Sequence, residues 1–207
     1  GRVLIIDAGH GGEDGGATTA EGVPESGINL AIAQKLEALA GLCGVECVMT
    51  RESQEIAYPE SASTTAQRKQ SDQKARVELI NAQEDAVLVS IHQNSAGSTS
   101  FANGIESYYF NDFSQSLASY ICANVNEAAG TNIRYGTNGD GSVFGYMAMT
   151  RDSAFPANLV ECGFVTNPEE YEKLLTASYR DKLADGIVEG IEEYFNSTYT
   201  ANLTGTQ

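Results

Sequence analysis

Three short runs of aliphatic and β-branched residues, VLIID at 3–7, VECVMT at 45–50 and VLVSIH at 87–92, are separated by stretches whose apolar residues recur at helical spacing. Uninterrupted apolar runs of this length suit strands covered on both faces, and a helix between successive strands lets the next one run parallel to the last. The rhythm predicts an α/β sandwich, three layers deep, with a largely parallel central sheet flanked by helices. Two further strand-like segments follow, GIESYYF at 104–110 and NLVECGF at 158–164.

Ile28, Ile32, Leu36 and Leu39 mark one face of a helix after a Ser26 cap. Leu117, Ile121, Val125 and Ala128 do the same after Ser114, and Leu183, Ile187, Ile191 and Tyr194 after Ser178. A fourth helix is expected over 68–84, with its apolar positions Ala75, Leu79, Ile80 and Gln83 less cleanly sorted. The polar, aperiodic segments 53–66 and 131–145 read as loops. Apolar periodicity ends near Asn196, so the expected organisation is one folded domain over 1–195 and a flexible tail over 196–207.

With 207 residues, 42% of them apolar, the chain can build one domain with a sizeable core. Twelve basic residues against 28 acidic ones give a net charge of −16, which excludes phosphate-backbone binding as the main activity. No run of about 20 apolar residues is present to span a membrane. The chain begins at Gly1, so a secretion leader or flanking domains are expected to belong to a longer precursor. The cysteines Cys43, Cys47, Cys122 and Cys162 have no metal-ligand spacing and read as small apolar residues, with a Cys43–Cys47 disulfide disfavoured.

In open α/β sheets, ligands collect beyond the carboxyl ends of the strands. Both histidines of the chain, His10 and His92, sit at such ends. Two imidazoles and a carboxylate form a familiar zinc shell that keeps one position open. Glu13, Asp14, Glu21 and Glu25 lie near the first histidine, and Glu25 is favoured because a helix N-terminus stabilises an ionised carboxylate. Glu161 interrupts the apolar NLVECGF run. A carboxylate there is either a general base or one half of an ion pair with Arg51, Arg76 or Arg151, and the isolated residue leaves both open. The run GHGGEDGG lacks the spacing of a nucleotide-binding loop, and no G-x-S-x-G elbow supports a serine hydrolase.

From Val3 to about Tyr194 the sequence resembles the zinc-dependent N-acetylmuramoyl-L-alanine amidases. IIDAGHGGEDGGA resembles the family's D-P-G-H-G-G-x-D-x-G-A opening, with Ala8 in place of the usual proline, and ESGINLAIAQKL its ligand glutamate and following helix. MTRES, RVELIN, LVSIHQN and FPANLVECGFVTNPEE resemble its later blocks, in order. RKQSDQKARVELIN is similar to a run in the sporulation cortex amidases.

The resemblance implies one zinc ion on His10, Glu25 and His92, with Glu161 as the catalytic carboxylate. It also implies a mixed sheet of about six strands, and hydrolysis of the amide joining N-acetylmuramic acid to L-alanine in peptidoglycan. Asp7 is expected to orient His10 by a hydrogen bond, while Asn94 and Arg76 support the site loop. The implied protein is secreted or wall-associated and acts as a monomer on peptidoglycan. Two rivals remain: a zinc carboxypeptidase or endopeptidase on stem peptides, and a wall-binding module that has lost catalysis. The loops 53–66 and 131–145 depart most from the family pattern and are expected to shape the substrate groove.

Overall fold

The computed structural model describes residues 2–97, 101–134, 142–145 and 147–204, with the side chains beyond 198 left aside. Three parallel strands form its centre: β1 (Val3–Ala8), β3 (Ala86–Asn94) and β6 (Ala157–Phe164). β2 (Glu46–Met49) adds in parallel outside β1. On the other side β4 (Glu106–Tyr109) runs antiparallel to β6 and carries β5 (Ser142–Phe144) at the edge, so the order is β2-β1-β3-β6-β4-β5. This is the expected mixed six-stranded sheet.

Alternation along the strands sorts the two faces. Leu4, Ile6 and Ala8 of β1 and Val87, Val89 and Ile91 of β3 join one large core with α1 (Glu25–Leu42), α3 (Gln115–Ala129) and α6 (Ala177–Thr204). Ile5, Ala86, Leu88 and Ala157 point the other way, into a much smaller core shared with Ile80 of α2 (Thr65–Asn81) and Met149 of α4 (Ala148–Asp152). Continuing with period two, Asp7, Ser90, His92 and Glu161 fall on this thinly covered face at the carboxyl ends of the strands. A short helix α5 (Pro168–Leu174) follows β6 and is capped by Asn167, whose side chain accepts from the amides of Glu169 and Glu170.

Several boundaries differ from expectation. α1 starts at Glu25 after Pro24, whose extended backbone occupies the cap position, so Ser26 lies inside the helix. α2 begins at Thr65, three residues before the expected start, because Thr64 and Gln67 close a reciprocal capping box. Ser114 precedes α3 but directs its hydroxyl to the amide of Ala157. α6 begins before Ser178, and Thr176 accepts from the Tyr179 amide at 3.3 Å. It then continues to Thr204, well past Asn196, since no Gly or Pro lies between Asn196 and Gly205 and the Ser197 and Thr198 hydroxyls bond back to Tyr194 and Phe195 carbonyls.

The segment expected as a loop over 131–145 contributes β5. Residues 135–141 of that segment and 205–207 of the expected tail lie outside the described residues. None of the four cysteines forms a disulfide; Cys122 and Cys162 are buried, whereas Cys43 is exposed and Cys47 half-buried. No helix among the described residues is long and apolar enough to cross a membrane.

Candidate metal centre and catalytic cleft

His10 follows β1, Glu25 opens α1 and His92 lies near the end of β3. One ligand-type atom from each converges within 4.8 Å of the others. His10 Nε2 stands 2.7 Å from Glu25 Oε1, and the two imidazoles meet edge to face with centroids 4.9 Å apart.

The chain around them is built to allow this approach. A Cβ at Gly9 would overlap the His92 ring, and one at Gly16, whose φ is +70°, would overlap the Glu25 carboxylate. His10 itself has φ +61°, a conformation L-residues seldom adopt unless their surroundings impose it.

Those surroundings are polar anchors. Arg51, which is buried, donates to the carbonyls of Ala8, Gly9 and Ser26 at 2.8–3.1 Å, and Asn29 donates to Gly9 at 3.1 Å. Arg76, equally buried, donates to the carbonyls of Ala8 and His10 at 2.8 and 2.7 Å and to Asp7 Oδ1 at 2.9 Å. Glu25 accepts from the amides of Ala17 and Gln93. Each fixes a carboxylate or a loop carbonyl that would otherwise be buried unsatisfied.

Asp7 does not reach His10. Its carboxylate accepts from Thr50, Ser90 and Arg76, and the hydrogen bond expected of it belongs to Asp14, whose Oδ2 lies 2.9 Å from His10 Nδ1 and 2.8 Å from Lys69 Nζ. The period-two alternation of β1 explains the difference: Asp7 lies on the sheet face beneath the loop, while Asp14 is one turn of loop away and free to bend back. Asn94 donates to Glu106 Oε2 at 2.7 Å, so it supports the far wall of the cleft, and Arg76 supports the loop as expected.

Glu161 is the register partner of His92 on one side and of Glu106 on the other, which places three polar side chains in a row across the sheet. The ion-pair alternative fails. Arg51 and Arg76 are committed to the loop and Asp7, and Arg151 pairs with Asp152 at 2.6 Å. Glu106 takes Arg134 at 2.9 Å and the Tyr108 hydroxyl at 2.6 Å. Glu161 Oε2 is buried with no hydrogen-bond partner among the described residues.

The electrostatics separate the groups. Burial, with the Glu25 and Glu106 carboxylates nearby, pushes the Glu161 carboxyl up to about 8. Burial and His10 push the His92 imidazole down to about 4, which keeps it neutral and able to ligate. Burial alone would lower His10, but Glu25 and Asp14 outweigh it and raise it. Glu25 is held low by the imidazoles against its own burial. Asp14 falls to about 2, burial being outweighed by Lys69 and His10.

The sequence assigns no role to Lys69 or Glu106, and it offers Asp14 only as a possible metal ligand and Arg51 only as an ion-pair partner for Glu161. The signal for Lys69 was present: Lys69, Asp72 and Arg76 fall on one stripe of α2 at helical spacing, the face toward the site loop.

A thinly covered α/β sheet that gathers two imidazoles, a carboxylate and a separate unpaired acid at its strand ends is the architecture of a hydrolase with a candidate mononuclear metal site. The family model described as N-acetylmuramoyl-L-alanine amidase matches residues 4–193, and the chain belongs to this family of peptidoglycan amidases. The germination-specific N-acetylmuramoyl-L-alanine amidase of Bacillus subtilis is 32% identical over 197 residues, covering 94% of this chain and 80% of the relative. Among solved structures, the CwlD amidase of Clostridioides difficile, in complex with the GerS lipoprotein, superposes with a TM-score of 0.87 at 32% identity over 95% of this chain and 100% of that one. The catalytic domain of CwlV, an N-acetylmuramoyl-L-alanine amidase from Bacillus (Paenibacillus) polymyxa var. colistinus, gives 0.81 at 30% identity over 95% and 99%.

Proposed function

We propose that His10, Glu25 and His92 hold one zinc ion and that the enzyme hydrolyses the amide between the lactyl group of N-acetylmuramic acid and the L-alanine of the stem peptide, with Glu161 as its acid–base residue. The observation that carries this reading is the unpartnered Oε2 of Glu161 beside three converging ligand atoms.

The donor set fits zinc. One nitrogen from each of His10 and His92 and a carboxylate oxygen of Glu25 lie within 4.8 Å of one another, the N and O donors that zinc takes, and burial and His10 keep His92 neutral. Asp14 on Nδ1 leaves the His10 Nε2 lone pair aimed at the cluster. A bound zinc supplies Lewis acidity, polarising the scissile carbonyl and acidifying water at neutral pH.

The residues of the chain do the rest. Glu161 accepts a proton from the attacking water through Oε2 and returns it to the amide nitrogen as the C–N bond breaks. Burial and the Glu25 and Glu106 carboxylates raise the Glu161 carboxyl, which favours its keeping the proton until the amide nitrogen takes it. Glu106 is paired with Arg134 and accepts from Asn94 and Tyr108, so its own oxygens are engaged away from the proton transfer. A peptidoglycan substrate implies action outside the cytoplasm, and the germination-specific relative points to spore peptidoglycan.

The test is a digest of purified peptidoglycan with zinc-loaded protein, read by mass spectrometry beside elemental analysis. Intact stems with free L-alanine amino termini and unsubstituted muramic acid are expected, with one zinc per chain. Released D-amino acids, or the absence of stoichiometric zinc, would overturn the reading.

A further inference from the structure

α2 is unusual for a helix of seventeen residues, because it buries only Arg76 and Ile80. Charges hold much of it in place, with Arg68 paired to Glu13, Lys69 to Asp14 and Arg76 to Asp7. The side turned toward α4 does not close against it. Between the two helices and residues 59–62 lies a groove of about 740 Å³, and it shares Gln73, Ala148 and Met149 with the smaller cleft that His10 and His92 line. Anything whose reacting bond sits at the candidate metal centre can therefore extend into this groove without leaving the protein surface.

The lining says what it accepts. Val77, Ala148 and Met149 give an apolar floor, while Gln70 and Gln73 offer exposed amides that make no hydrogen bond within the described chain. Both signs of charge stand at the rim, Lys74 beside Glu78 and Arg151 beside Asp152. Lys74 and Glu78 are only loosely paired at 3.7 Å and mostly exposed, so a ligand can redirect both. Among the described residues that line the groove none is aromatic, so none of them offers a ring face on which a sugar could pack its C–H surface. A peptide bearing amides, carboxylates and an amine matches every one of these features.

We propose that the α2–α4 groove is the subsite for the stem peptide beyond L-alanine, with Lys74 receiving a carboxylate of the peptide, Glu78 its side-chain amine, and Gln70 and Gln73 its backbone amides. This inference rests on the amidase reading, and binding energy gathered there would orient the scissile amide at the cleft.

The experiment compares N-acetylmuramoyl-L-Ala-D-Glu with the same compound carrying a full tetrapeptide, using zinc-loaded protein. The tetrapeptide is expected to have kcat/KM higher by about tenfold or more, and Lys74→Glu and Gln73→Leu to lower that ratio by about fivefold, chiefly through KM. Both positions are exposed, and thermal unfolding checks that the variants stay folded. Equal kcat/KM for the two stems, a ratio unmoved in both variants, or a preference set instead by added N-acetylglucosamine would each overturn the groove assignment while leaving the amidase reading intact. Should neither compound be cleaved, the amidase reading falls separately. The groove is then judged by titrating free tetrapeptide into labelled protein: amide shifts at Gln70, Gln73 and Met149 support it, and their absence overturns it.

Discussion

Replacing Arg76 with methionine removes a guanidinium that is only 5% exposed while keeping most of its volume. Asp7, 1% exposed, then retains two hydroxyl donors, Thr50 and Ser90, but loses the guanidinium paired directly with it. Breaking a buried ion pair from one side costs about 3–5 kcal/mol, because the remaining charge is left in a poorly polarisable environment. With a urea m-value of about 2 kcal/mol/M, the unfolding midpoint should fall by roughly 1.5–2.5 M.

The pH dependence gives a sharper check. In the wild type, burial raises the Asp7 carboxyl, but Arg76, Ser90 and Thr50 outweigh it and hold it below its ordinary 3.8. Its stabilising contribution is therefore present above 3.8 and lost as pH falls through the lower folded value. Without Arg76, burial dominates and the folded value rises above 3.8, so stability is lost as pH increases from that point. The gap between the two proteins should widen with rising pH, and adding Asp7→Asn to Arg76→Met should recover part of it. A gap below about 1 kcal/mol at neutral pH, or one that does not change between about pH 4 and pH 7, would refute the reasoning.

The remaining predictions concern the centre itself. Glu161→Gln should keep stoichiometric metal and lose about 10²–10⁴-fold in turnover, so a variant that works normally would strip Glu161 of its role. Asp14→Asn should weaken zinc binding by about 10–100-fold in a competition with a chromophoric chelator, with unchanged affinity counting against the His10 anchor. Gly9→Ala should push the His92 ring aside and abolish metal binding while circular dichroism still reports a folded protein; full metal occupancy in that variant would show that the loop can shift to make room. Zinc at a hundredfold its dissociation constant should add about 2.7 kcal/mol to unfolding stability, lost again with a chelator, and calorimetry that records no change would argue against a site in the folded state.

What could be read from the sequence followed local periodicity. β1, β3 and β6 are legible because strands covered on both faces need unbroken apolar runs, and α1, α3 and α6 because each buries one stripe. β5 was not legible: three residues, Ser142–Phe144, carry too little pattern to stand out from a Gly-rich segment. α4 and α5 are likewise one or two turns long, and short elements take their shape from tertiary contacts and caps. The length of α6 was misjudged because loss of apolar periodicity was read as loss of helix. A helix with no breaker can continue once its buried part has nucleated it.

The candidate site divides along the same line. His10, His92, Glu25 and Glu161 stand out individually, each being a residue type that its apolar or glycine-rich surroundings do not explain. Their anchors act across long sequence separations, Lys69 on Asp14 and Arg76 on Asp7, and these partners look like ordinary surface charges until the chain is folded. The choice between Asp7 and Asp14 shows the limit. The expectation fell on Asp7, yet strand alternation commits Asp7 to the sheet face, where Ser90 and Arg76 claim it. The positive φ at His10 then turns the chain so that Asp14 can bend back to Nδ1. Fixing a ligand's tautomer thus depends on which acid the strand leaves free, and that is a property of register and loop geometry that spacing alone does not carry.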